Sequence, residues 1–180
     1  MIFNPQFDGS ASISTPATEF LARFRRRVEA GLLSGQPHPR SRYAAQQTGP
    51  NQLHVTALNR LTAFNVGLNE IELRAAEAGR IEYTVRYWRW AGYALGLSAG
   101  IGTIIAVVFV LIDLPEYVER HTTMIPGLTV AHHVILAWSM VVFWGFIWPW
   151  LLIALHKRPA QRLMERLIAE VDHASAPVAH

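Results

Sequence analysis

From residue 16 the apolar positions recur at helical spacing. Phe20, Phe24, Val28 and Leu32 lie four apart, and Arg23, Arg25, Arg26, Arg27 and Glu29 fill most of the gaps. The pattern predicts a basic amphipathic helix over 16–33, with Thr15 as its N-cap, Pro16 at the first helical position and Gly31 and Gly35 at its end. SGQPHPRS (34–41) then breaks the chain with two prolines and a glycine. Beyond it the period changes to two. Leu53, Val55 and Ala57 alternate with His54 and Thr56; Ile71, Leu73 and Ala75 alternate with Glu70, Glu72 and Arg74; Ile81, Tyr83, Val85 and Tyr87 alternate with Glu82, Thr84 and Arg86. Alternation rich in β-branched and aromatic residues predicts strands, with TGPN (48–51) and EAGR (77–80) as turns. Residues 42–88 are therefore expected to form an antiparallel sheet of three or four strands. LTAFNVGLN (61–69) fits either a strand bulged at Gly67 or a short helix. So small a sheet is marginal alone. The amphipathic helix is expected to cover it rather than lie only on lipid, giving an α+β layer.

Two runs follow that have neither period. Residues 91–112 and 134–155 contain no Asp, Glu, Lys or Arg. Each is about 33 Å long as a helix, enough to cross a hydrocarbon core of about 30 Å. They predict a two-helix transmembrane hairpin. Tyr87, Trp88, Trp90 and Tyr93, with Arg86 and Arg89, mark one membrane edge. The first span stops at Asp113, followed by Pro115. A final helix is expected from near Pro159, with Leu163, Leu167, Ile168 and Val171 as its apolar stripe.

Charge gives an orientation. Arg74, Arg80, Arg86 and Arg89 precede the first span, Lys157, Arg158, Arg162 and Arg166 follow the second, and Arg120 alone lies between them. By the positive-inside rule both termini are expected in the cytoplasm. The expected divisions are a flexible lead (1–15), a cytoplasmic α+β domain (16–88), transmembrane helix 1 (89–113), an outer loop (114–132), transmembrane helix 2 (133–156), a cytoplasmic amphipathic helix (157–173) and a disordered tail (174–180). MIFNPQFDGS has no basic segment followed by an apolar stretch, so no cleaved signal peptide is expected. The expected location is a bacterial-type inner membrane.

The formal net charge is +3, and fifteen of the sixteen basic residues are arginine. In a two-helix membrane chain this fits cytoplasmic positive charge better than nucleic-acid binding, which we do not expect. The absence of cysteine excludes disulfides, thiolate catalysis and cysteine-ligated metals. Neither span holds an acid or base for ion or proton transfer. No phosphate-binding glycine loop, nucleophile elbow or spaced carboxylate pair is present, so enzymatic chemistry is not expected. Ser139 is expected to bond back to its own helix.

Three constellations remain. Gly92, Gly96 and Gly100 share one helix face, extended by Ala99, Thr103 and Ala106. Small residues at this spacing let a second helix backbone approach closely inside a bilayer. The face suits either another subunit or the chain's own second helix, which offers Ala137 and Gly145. Trp144, Trp148, Pro149 and Trp150 form an interfacial aromatic belt, or Trp144, Trp148 and Pro149 line a groove with the first helix for a lipid, quinone or other hydrophobic ligand. His121, His132 and His133 share the outer loop with Asp113, Glu116 and Glu119; these are ligand types for a divalent metal or a pH-sensitive loop, but without a fixed metal spacing. A haem held between the spans is rejected, because the first has no histidine. No cofactor is expected. The leading expectation is a structural, accessory or assembly subunit of a membrane complex, in contact with the lipid bilayer and with other subunits or copies of itself. The alternatives are a homo-oligomeric pore or transport component, and a sensor binding a metal or hydrophobic ligand.

Overall fold

The computed structural model describes residues 4–31, 42–60, 62–63, 67–77, 79–121, 125 and 127–173. They fall into two compact units. One runs to Trp90 and resumes at Ala154, and the other is Ala91–Ile153.

The first unit is α+β. Its five strands are β1 (Gln6–Ser12), β2 (Tyr43–Gly49), β3 (Gln52–Ala57), β4 (Glu70–Ala76) and β5 (Arg80–Arg86). They pair antiparallel in the order β1-β5-β4-β3-β2. In register, Phe7, Val85, Ile71, Val55 and Ala45 line up across the sheet on one face. On the other face Asp8, Thr84, Glu72, His54 and Gln46 form the matching polar row. Period-two sequence thus gives one dry and one wet face. Helix α1 (Ala17–Ala30) buries Phe20, Leu21, Phe24 and Val28 against β2, β3 and β4. Each such side chain contributes about 1.5–3 kcal/mol on leaving water. Covering the sheet is thus what the amphipathic helix does. Three of its arginines are paired: Arg23 with Glu19 and Arg25 with Glu29 on the same helix, and Arg27 with Glu170 far along the chain.

Several expectations require correction. Residues 6–12 form an edge strand, not a flexible lead, so the sheet has five strands. Pro16 occupies the N-cap position and makes no side-chain cap. Thr15 instead hydrogen-bonds, through backbone and side chain, to Asp172 near the far end of the chain. Residues 62–63 are helical, while Gly67 lies in irregular chain with φ of +71°. Gly31 ends α1 as expected, whereas Leu32, Gly35 and the tail 174–180 lie outside the described residues.

The long helices are α2 (Trp88–Leu111), α4 (Val130–Val142) and α5 (Trp148–His173). A short helix α3 (Leu114–Arg120) occupies part of the expected outer loop, opened by Asp113 and Pro115. A π-helical turn, Phe143–Ile147, joins α4 to α5. The π turn ends two residues before Pro149, with the Trp148 amide bonded to the Phe143 carbonyl. This is one way to absorb a proline that cannot donate a helical hydrogen bond. Pro159 does not begin a new helix, as it lies inside α5. The end of the second apolar run and the amphipathic segment therefore belong to one helix. The amphipathic part buries Ala160, Met164, Leu167, Ile168 and Val171. Asp172 fixes it in the first unit by accepting from the Ser14 and Thr15 amides at 3.0–3.1 Å and from the Ser14 hydroxyl.

Two helices, Trp88–Leu111 and the continuous Val130–His173, are long and apolar enough to span a membrane. Only 17% of the most apolar window of each is buried, unlike the core helix of a water-soluble protein.

Candidate functional site

Helix α2 carries two small-residue faces. Ala91, Ala94, Ser98 and Gly102 are buried. Gly102 meets the second apolar segment at Gly145: a Cβ on Gly102 would stand 2.8 Å from the Gly145 Cα. The reverse addition would stand 3.3 Å from the Gly102 Cα, so the two backbones touch. Gly145 sits in the π turn.

Gly92, Gly96 and Gly100 lie on a different face. All three are exposed, and a Cβ on any of them would meet nothing within 4 Å. Ala99 and Thr103 are exposed beside them, while Ala106 is half-buried. Thus Gly145, offered as a partner for this stripe, faces Gly102 instead. Spacing showed that α2 has a small face but could not separate the two, because every position from Gly96 to Gly102 except Leu97 and Ile101 is small.

The aromatic belt packs on itself. Trp144 and Trp148 have centroids 5.1 Å apart, and Phe143 meets Trp144 edge-on at 5.4 Å. Pro149 is buried beside this cluster in sequence. The outer histidines are occupied separately. The His121 ring stacks on Tyr117 at 4.4 Å. His132 forms a reciprocal cap with Thr129, and His133 bonds the Thr129 carbonyl through Nδ1 while its buried Nε2 has no partner. Among the described residues no three His, Cys, Asp or Glu side chains gather as a metal site. The Ser139 hydroxyl donates to the Leu136 carbonyl at 2.7 Å, the back-bond expected of it.

A further cluster was missed in the sequence. The chain leaves the first unit at Trp90 and re-enters it at Ala154. There the His156 imidazole stacks on Trp90 at 4.1 Å and meets Tyr87 edge-on at 5.2 Å. Asn69, buried, accepts from the Trp90 amide and donates to the Ala63 carbonyl, each at 3.0 Å. It thereby satisfies a first-turn amide of α2 that has no partner within its own helix. The Arg89 guanidinium donates to the Ala57 carbonyl at 2.9 Å. Departing and returning chain are thus clasped to the sheet at one place. His156 was read only as the end of an apolar run; its partner is 66 positions away, and spacing carries no signal over such a distance.

Neither protein-family models nor curated proteins nor solved structures yield a match to this chain, so its functional reading rests on its own residues.

Proposed function

We propose that this chain is an integral membrane protein of a bacterial-type inner membrane, with both termini and its α+β domain on the cytoplasmic side. It serves as a structural, accessory or assembly subunit. Its docking element is the face formed by Gly92, Gly96 and Gly100 with Ala99 and Thr103. The observation that carries this reading is the division of labour on α2: the hairpin closes through Gly102 and Gly145, while the three-glycine face has open space at every position. Glycine costs about 1 kcal/mol per residue relative to alanine in a water-exposed helix interior. Three in register facing outward are accounted for by a helix from another subunit, or from a copy of this chain, lying against them.

The test is native mass spectrometry of the mildly solubilised protein beside Gly96→Leu. We expect the wild type to carry further subunits or copies and the variant to lose them while keeping its fold. A wild type that stays monomeric in native membranes would remove the proposal, as would an unchanged assembly in the variant.

A further inference from the structure

Arg158, Arg162 and Arg166 lie at i, i+4 and i+8 of α5 and are all exposed, opposite the stripe from Ala160 to Val171 that enters the core. Two carboxylates of the same helix are engaged elsewhere: Glu170 with Arg27, and Asp172 with Ser14 and Thr15. No hydrogen bond or ion pair reaches the three arginines among the described residues. This differs from α1, three of whose four arginines are paired.

We infer that this stripe is a binding surface for anionic phospholipid headgroups. The inference rests on the membrane reading given above. Arg158 lies three residues past Leu155, where the apolar run ends. At 1.5 Å per residue that is about 4–5 Å, within the headgroup layer of about 5–7 Å on each side of the hydrocarbon. Arg162 and Arg166 lie about 6 and 12 Å further along the axis. Side chains on a helix lean toward its N-terminus, here toward the apolar end of the same helix, which shortens their reach to the bilayer. The attraction of a basic residue to an anionic surface decays over a Debye length of about 8 Å. The three arginines should therefore contribute in order, Arg158 most and Arg166 least. An acidic protein segment lying along the stripe would impose no such order.

The experiment uses the full chain in nanodiscs of equimolar phosphatidylcholine and phosphatidylglycerol, with retained lipids counted by native mass spectrometry. The wild type should hold phosphatidylglycerol in several-fold excess. Arg158→Gln should lower that ratio about fivefold, with smaller losses for Arg162→Gln and Arg166→Gln. A triple lysine variant should keep the preference, because a charged surface reads charge rather than guanidinium geometry. No preference in the wild-type discs would overturn the inference, as would equal losses at the three positions. Loss of an acidic protein from native membranes in the triple glutamine variant, with lipid preference unchanged, would reassign the stripe to that protein. Failure of the wild type to enter the discs at all would remove the membrane reading itself.

Discussion

At the scale of single residues, the tightest constraints sit where the chain enters and leaves the sheet domain. Gly67 is held at φ of +71°, and a Cβ there would overlap the His156 imidazole. Two independent penalties meet at one atom. We expect Gly67→Ala to destabilise the domain by about 1–3 kcal/mol, read as a lowered midpoint in thermal unfolding. Combined with His156→Ala, part of that loss should return, because the overlap is relieved and the positive φ is not; full recovery would show that backbone strain contributes nothing. Gly9 makes the same point in β1, where the Tyr83 ring occupies the space its side chain would fill. That is why β1 was invisible in the sequence. Its core-facing positions are Phe7, Gly9 and Ala11, and the large apolar group covering the strand belongs to its neighbour.

At the scale of elements, the strands with strong alternation were legible, as were the covering helix and two apolar helices of membrane-crossing length. Each depends on side chains within a few positions of one another. The continuity of α5 was not legible, since Pro159 reads locally as a helix start. Nor was the choice of packing face on α2, since glycine, alanine and serine look alike on both of its faces. The structure separates those faces, and mutation should separate them again. Gly102→Leu forces a side chain against the Gly145 backbone and should cost the hairpin about 1–3 kcal/mol, measured as reduced resistance to unfolding in mixed micelles. Gly96→Leu has open space and should leave that resistance unchanged. Equal losses at both positions would mean that the faces are not distinct.

At the scale of the molecule, the two ends of the sequence are held together by one carboxylate. Burial pushes the Asp172 carboxyl up, but hydrogen bonds from Ser14 and Thr15 outweigh it and hold the group at about 2, against an ordinary value of 3.8. A depressed carboxyl contributes stability that is complete above its unfolded value and disappears as pH falls through its folded one. The tie between α5 and the β1–α1 loop should therefore weaken between pH 4 and pH 2. Asp172 is only partly buried, so solvent screening keeps the effect below about 1 kcal/mol. Asp172→Asn should lower stability by a similar amount at pH 7 and flatten the acid limb, as seen by hydrogen exchange at the C-terminal end of α5. An unaltered acid limb in the variant would show that the tie is not thermodynamically coupled.

The return of the chain to its first domain has a consequence for biosynthesis. The sheet and α1 emerge from the ribosome early, but the helix carrying Met164, Leu167, Ile168 and Val171 is made only after both apolar segments. Until then the domain lacks its last layer and exposes apolar surface that the finished protein hides. Under the hairpin topology proposed above, a chain whose second apolar segment failed to cross the bilayer would leave the last helix on the opposite side from the domain it should complete. On that proposed topology such a chain is expected to stay open to proteases and chaperones, which would make completion of the domain a checkpoint on insertion.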